Sequence, residues 1–264
     1  MNITETSTQL LYTTLPIWLE YENGQQGSGT GFIFMYPSKA NPQVSIPLLI
    51  TNYHVLRGAR RGLIDFVERE GDAPKRGERV RVEISGNDLQ LFNDMQNDLA
   101  ALPIGPILNQ LESSGRGVFF RSITPDLVPA SDVLNNLAAI EEITFIGYPS
   151  GLYDEHNVTP IVRRGITATP VWNDFLGQSA FLIDAGVFPG SSGSPVFIFN
   201  QGGYSSAGNF VVGNRLLFLG VLSESIVRVE QGNPNVFLGL GKVIKGYQVL
   251  AFIEGLIKRL NVAE

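Results

Sequence analysis

The amino-acid sequence predicts a mostly β protein, and three features of its 264 residues support this prediction. The chain contains 29 glycines and 15 prolines, which separate many short apolar runs. One run, Arg79 to Ile84, alternates charged and apolar residues, as a strand with one buried face does. Another run, Leu216 to Leu222, is apolar throughout and suits the interior of a barrel. With 44% hydrophobic residues, the chain is long enough for two packed β-barrels or one larger domain.

Helical patterns are few, and the clearest one runs from Tyr247 to Leu260. Its apolar residues recur at near-helical spacing, and its charged residues take the other side. We therefore predict a C-terminal helix docked on the second half of the molecule. A second, shorter helix is predicted around Ile107 to Leu111.

A serine lies in a tight, glycine-bounded turn, Gly190-Ser191-Ser192-Gly193-Ser194-Pro195, just before the apolar run Val196 to Phe199. Such a turn leaves successive backbone N–H groups free to face a substrate oxygen beside a serine hydroxyl, as in an oxyanion hole. Glycine and serine clusters also form flexible surface loops, which is the alternative interpretation. A serine nucleophile needs an imidazole base and a carboxylate that orients this base. Whether the rest of the chain supplies both decides between a catalytic turn and a flexible loop.

The chain has two histidines, which leaves few candidates for the base. His54 follows the apolar strand Pro47 to Tyr53, so the imidazole is expected at a strand end. His156 lies in a polar stretch and is predicted to be exposed. Asp98, at the head of a short apolar strand, is the candidate carboxylate because it would be half buried and able to accept the Nδ1–H of His54. Asp94 is the rival, but its neighbours are polar.

The order His54, Asp98, Ser192 resembles that of the chymotrypsin-fold (trypsin-like) serine proteases, and the nearest branch is the bacterial HtrA-type protease domain without its PDZ partner domains. Further segments agree with that branch and follow in family order from about Ile17 to Leu260. They are Gly29-Thr30-Gly31-Phe32-Ile33, Ile146 to Leu152, Arg164-Gly165-Ile166-Thr167-Ala168, Asp184-Ala185-Gly186, Gly220-Val221-Leu222-Ser223 and Gly239 to Ile244. An α/β-hydrolase is excluded because its histidine follows the serine in the chain.

The resemblance implies two perpendicular antiparallel β-barrels with an active-site cleft between them. The first, residues 1–124, would carry His54 and Asp98. The second, residues 125–264, would carry Ser192 and the C-terminal helix. Ser192 would be the nucleophile, His54 the general base and then acid, and Asp98 the orienting carboxylate. The backbone N–H groups of Gly190 and Ser192 would form the oxyanion hole.

The resemblance also places a primary specificity pocket, for which we expect six residues, with Gly186 six positions before the nucleophile as its floor: Gly186, Val187, Phe188, Ser223, Glu224 and Ser225. No acid occupies the floor, so an apolar or small residue is expected before the scissile bond rather than Lys or Arg. Glu224 either faces an outer subsite or points to solvent. Arg163 and Arg164 are interpreted as a solvated strand end, with a contact for an acidic partner as the alternative.

Composition also bears on the cellular compartment, on nucleic-acid binding and on metals and cofactors. The chain has no cysteine and no signal peptide, which predicts a cytoplasmic protein without disulfides. A net charge of −6 gives no electrostatic support for nucleic-acid binding. Neither a metal nor a cofactor is expected, since the two histidines lack ligand spacing, and no run reaches membrane-spanning length.

Together these patterns predict a cofactor-independent serine endopeptidase that forms an acyl-enzyme on Ser192 and acts on proteins or peptides. A regulatory or substrate-delivering partner is compatible with the sequence. The alternative is an inactive or latent protease-fold protein that acts as a protein-binding module.

Overall fold

The computed structural model describes residues 2–38, 44–206, 208–230 and 233–260. In the first half, eight strands form one antiparallel sheet in the order β5-β4-β1-β2-β3-β7-β6, with β8 paired to β4. These strands are β1 (Thr14–Tyr21), β2 (Gln26–Pro37), β3 (Ser45–Thr51), β4 (Ala59–Glu70), β5 (Ala73–Ser85), β6 (Phe92–Asp94), β7 (Leu99–Pro103) and β8 (Val118–Phe119).

In the second half, six strands close into a barrel in the order β10-β11-β16-β15-β12-β9, and β13 and β14 form a separate hairpin. These strands are β9 (Glu142–Gly147), β10 (Ile161–Thr167), β11 (Ala180–Asp184), β12 (Pro195–Asn200), β13 (Gly203–Ser206), β14 (Asn209–Val212), β15 (Arg215–Glu230) and β16 (Asn233–Lys245). The helices are α1 (Thr6–Leu10), α2 (Tyr53–Leu56), α3 (Gly86–Leu89), α4 (Gly105–Ser113), α5 (Ser131–Asn135) and α6 (Gly246–Arg259).

The structure confirms the mostly β, chymotrypsin-like fold with a C-terminal helix. The second barrel is closed. In the first half, the described strands form a sheet whose two ends are β5 and β6. Helix α3 connects these two strands in the chain. The expected boundary at residue 124 lies in the segment between β8 and β9, and its position stays a prediction. The alternation predicted for Arg79 to Ile84 holds in β5, where Val80 and Ile84 are buried.

The C-terminal helix α6 lies between the two halves rather than on the second one alone. Its buried residues, Val249, Ile253, Leu256 and Ile257, share one apolar cluster with Leu99 and Ala101 of β7 and with Phe218 and Ile244 of the second barrel. This apolar stripe spans positions i, i+4, i+7 and i+8, which is wide enough to cover two neighbouring surfaces. The helix therefore contributes to holding the two halves together.

Candidate active site

The two predicted triad residues of the first half lie next to each other at the ends of neighbouring strands. His54 is on α2, a single helical turn that directly follows β3, and Asp98 immediately precedes β7. Because β3 and β7 are paired, with Thr51 opposite Ala100, the two residues meet at one edge of the sheet. The Asp98 carbonyl oxygen accepts hydrogen bonds from Tyr53 N and from Asn52 Nδ2, which ties the two segments together.

The Asp98 carboxylate is held by donors on all sides. His54 Nδ1 lies 2.8 Å from Oδ2 and the His54 backbone N–H donates to Oδ1 at 2.9 Å. The Ser223 hydroxyl donates to Oδ2 at 2.8 Å. Burial by itself would raise the pKa of Asp98, but the hydrogen bonds from His54 and Ser223 outweigh it and hold this pKa below its usual value. An ionised Asp98 selects the His54 tautomer that carries its proton on Nδ1 and leaves Nε2 as an acceptor.

Asp98 also has a left-handed backbone conformation, with φ of +52°. Such a conformation is uncommon for a residue with a side chain and costs on the order of 1 kcal/mol. The hydrogen bonds at its carbonyl and carboxylate offset this cost. The rival Asp94 instead accepts bonds from Gln96 N and Asn97 N in its own turn, and the structure gives it no bond to His54.

The turn around Ser192 is shaped by two glycines that no other residue can replace without displacement. Gly190 and Gly193 have φ of +82° and +87°. A Cβ on Gly193 would lie 1.8 Å from the Thr30 carbonyl oxygen, and one on Gly190 would lie 2.6 Å from Ser150 N. The turn is therefore clamped between β2 and the segment that follows β9, and Thr30 N donates to the Ser192 carbonyl at 2.9 Å.

Along this turn, some backbone N–H groups are bonded and two are free. Those of Ser191, Gly193 and Ser194 donate to backbone carbonyls at 3.1, 2.8 and 3.1 Å. Those of Gly190 and Ser192 have no hydrogen-bond acceptor among the described residues. Two free donors beside a serine hydroxyl are the arrangement that stabilises a developing oxyanion.

The Ser192 hydroxyl donates to the Ser223 carbonyl oxygen at 2.8 Å. Ser223 thus contacts Ser192 through its backbone and Asp98 through its hydroxyl, and it joins the two halves of the site. The structure shows no hydrogen bond between Ser192 and His54. The Ser192 hydroxyl must therefore give up its bond to Ser223 before His54 Nε2 can accept its proton, and catalytic hydrogen bonds of this kind often tighten only when substrate binds.

Ser194 is accommodated by the absence of a side chain at Gly147. The Ser194 side chain is fully buried, and a Cβ on Gly147 would lie 2.0 Å from its Oγ. The Ser194 and Ser191 hydroxyls are both buried without a hydrogen-bond partner in the described part of the chain. The serine-rich turn is thus packed tightly rather than exposed as a flexible loop.

The residues predicted for the specificity pocket differ in burial and in their contacts. Val187 and Ser223 are buried, Val187 in the barrel core and Ser223 against Asp98. Phe188 is 42% exposed, and Glu224 is exposed with Oε1 3.9 Å from the Nζ of Lys242. The predicted floor, Gly186, has φ of +58°, and its N–H donates to the Gly239 carbonyl at 3.0 Å. Ser225 is half-buried on β15.

Sequence reasoning missed Arg163 as a neighbour of this pocket. Its Nη2 lies 2.9 Å from the position that a Cβ on Gly186 would take, and its Cζ lies 4.9 Å above the Phe188 ring. The period-two alternation of a strand separates Arg163 from Arg164 onto opposite faces, but it does not show what Arg163 faces. Arg163 shares a face of β10 with Gly165, which packs against Asp184 and Ala185 just before Gly186.

The structure also bears on the second histidine, on metal-ligating groups and on membrane-spanning helices. His156 is exposed, as the sequence predicted. Among the described residues, no group of three His, Asp or Glu side chains is close enough to ligate a metal ion. No helix in the described ranges has both the length and the apolar content needed to span a membrane.

Comparisons with known proteins agree with the fold. The crystal structure of Deg5 superposes with a TM-score of 0.51 at 18% identity, covering 92% of this chain and 88% of that one. A variant of the tobacco etch virus protease gives a TM-score of 0.50 at 13% identity, covering 96% of this chain and 80% of that one. No curated protein sequence matches the chain. The family model described as "Trypsin-like peptidase domain" matches residues 29–204, two thirds of the chain, and the protein therefore belongs to the trypsin-like peptidase domain family.

Proposed function

We propose that this protein is a serine endopeptidase that hydrolyses peptide bonds of protein or peptide substrates through an acyl-enzyme on Ser192. The observation that carries the proposal is the pair of free N–H groups at Gly190 and Ser192 beside the Ser192 hydroxyl. The His54–Asp98 pair, joined at 2.8 Å, supports it with a base whose Nε2 is left to accept a proton. These are the groups that acyl transfer requires.

In the proposed mechanism, Ser192 Oγ attacks the carbonyl carbon of the scissile bond while His54 Nε2 accepts its proton. The negative charge that develops on the carbonyl oxygen is stabilised by the two free N–H groups, each contributing about 3–4 kcal/mol. Asp98 stabilises the imidazolium without accepting its proton. His54 then protonates the leaving amine, and water hydrolyses the acyl-enzyme by the same steps in reverse order.

One observation favours the second candidate, a latent or inactive protease fold that binds proteins. The Ser192 hydroxyl is bonded to the Ser223 carbonyl rather than to His54. In this conformation the nucleophile is not activated. A partner or substrate that rotates the side chain would make the enzyme active, whereas permanent retention of this bond would leave a binding module.

A fluorophosphonate probe with intact-mass measurement separates the two candidates. We expect a single adduct on the wild-type protein that disappears in Ser192→Ala and His54→Ala. His156→Ala is the matched control because this second histidine is exposed and outside the site, and it should label as the wild type does. Absence of an adduct on folded wild-type protein, in the presence and absence of peptide substrate, would contradict the endopeptidase proposal.

The preference for an apolar or small residue before the scissile bond was expected because Gly186 has no charge. The Arg163 guanidinium lies beside that glycine, so the surroundings of Gly186 carry a positive charge. The absence of charge at Gly186 therefore no longer supports a preference for an apolar or small residue.

A further inference from the structure

Arg163 is directed toward the predicted specificity pocket by the strand that carries it. It lies on β10, opposite Phe145 of β9, and its guanidinium reaches the space next to Gly186. Gly186 has no side chain, so this space is filled by the end of Arg163, which also stacks on the Phe188 ring. Both contacts involve residues predicted to line the pocket.

The charge of Arg163 has no counter-ion in the described structure. The side chain is half-buried, and among the described residues no carboxylate lies within 4 Å of it and no acceptor receives a hydrogen bond from it. Its neighbour Arg164, by contrast, donates to Glu142 at 2.7 Å. A guanidinium has five N–H donors. Stacking on an aromatic ring gives none of them an oxygen acceptor. A half-buried arginine in this state favours binding of an anion.

Strand pairing relates Gly186 to the residues that contact Ser192. Strand β16 lies between β11, which ends just before Gly186, and β15, which carries Ser225. Gly186 N–H bonds to Gly239 of β16, and Ser225 lies opposite Gly241 of the same strand. The two sides of the pocket thus flank β16, and the Ser223 carbonyl at one side contacts the Ser192 hydroxyl.

We propose that Arg163 makes this pocket select substrates with an acidic side chain, Glu or Asp, immediately before the scissile bond. The inference rests on the proposed endopeptidase function. A carboxylate accepts two parallel N–H bonds from one guanidinium. Lys in place of the arginine, or an amide in place of the carboxylate, cannot form this pair. An apolar side chain would cover the cation without pairing it, and a basic one would place two cations together. Glu224 does not supply the missing anion, because it is exposed and lies 3.9 Å from Lys242.

Matched fluorogenic peptides test the proposal in the 264-residue chain. The peptides differ only in the residue before the scissile bond, which is Glu or Gln in one pair and Asp or Asn in the other. For the wild type we expect kcat/KM to be about tenfold or more higher for the acid than for its amide. Arg163→Gln should abolish this ratio. Arg164→Gln, which removes the same charge from the adjacent, exposed residue, should preserve it.

Any of three results would overturn the inference: equal cleavage of acid and amide peptides by the wild type, a ratio retained in Arg163→Gln, or equal loss of the ratio in Arg163→Gln and Arg164→Gln. The wild-type ratio needs no variant, so the test remains valid even if Arg163→Gln does not fold.

A binding measurement separates this inference from the proposed function. Product-like peptides that end in Glu or Gln are titrated calorimetrically into Ser192→Ala, which needs no chemistry. We expect about tenfold or more tighter binding of the Glu peptide. If the wild type forms no fluorophosphonate adduct but Ser192→Ala still prefers Glu, the endopeptidase proposal fails and the acidic pocket stands. If the adduct forms but neither assay shows a preference for the acid, the pocket inference fails and the endopeptidase stands.

Discussion

Replacing Ser223 by alanine removes one hydrogen bond from the carboxylate that holds His54. The Ser223 hydroxyl is buried and donates to Asp98 Oδ2 at 2.8 Å. A hydrogen bond to a charged group contributes about 1.5–3 kcal/mol to stability. Because the Asp98 side chain is 28% exposed, water replaces part of the lost interaction. We therefore expect the free energy of unfolding of Ser223→Ala at pH 7 to fall by about 1.5 kcal/mol, the lower end of this range.

The size of this loss depends on pH, since the bond is made to an ionised carboxyl group. Burial raises the pKa of Asp98, but its hydrogen bonds outweigh burial and keep that pKa lowered in the folded protein. A group with a lowered folded-state pKa stabilises the fold above its unfolded-state pKa of about 3.9. This contribution is lost as pH falls through the folded-state pKa. Removing the Ser223 donor raises the folded-state pKa, so the difference between wild type and variant should be largest at neutral pH and should decline below about pH 4.

Urea unfolding followed by tryptophan fluorescence measures both effects, from pH 7 down to pH 3. Ser205→Ala is the matched control, because it removes the same hydroxyl from an exposed position on β13 and should change stability by less than about 0.5 kcal/mol. Equal free energies of unfolding for wild type and Ser223→Ala at pH 7 would refute the reasoning. So would a difference that stays constant down to pH 3.

Three further predictions concern the same site. Asp98→Asn should lower kcat by about 10⁴-fold, since it alters the histidine tautomer; peptide hydrolysis measures this, and Asp94→Asn should retain activity. Gly193→Ala should lower the free energy of unfolding by about 2 kcal/mol or more, because its Cβ would overlap a backbone carbonyl. Gly202→Ala has a similar φ of +81° but open space, so a loss as large as that of Gly193→Ala in urea unfolding would argue against overlap as the cause. Ser191→Ala should be neutral or stabilising because its buried hydroxyl has no described partner, and a Tm below the wild-type value would contradict this.

Local sequence patterns were informative about the candidate triad. The chain has two histidines, and the one that follows an apolar strand lies 2.8 Å from the aspartate that precedes another. The glycines around Ser192 predicted a tight turn, and their positive φ values agree. The rotamer of Ser192 could not be predicted, because it depends on the Ser223 carbonyl, which is 31 residues away in the chain.

The role of Arg163 was missed for a related reason. A strand pattern indicates which residues share a face, but it does not indicate what lies opposite that face. Arg163 and Arg164 have nearly identical local surroundings in the sequence. In the structure, one is beside Gly186 and the other is paired with Glu142, because alternate residues of β10 point to opposite sides.

The sequence by itself determined the mostly β class, the C-terminal helix and the turn at Ser192, because strand alternation, helical spacing and glycine placement are local properties of the chain. Tertiary structure decided the rest. It placed α6 between the halves, brought Ser223 into contact with both Ser192 and Asp98, and set Arg163 against Gly186. Each of these contacts joins segments that are distant in sequence. Their geometry follows from strand pairing and packing between distant segments, within the barrel and between the barrel and the sheet, which no local pattern encodes.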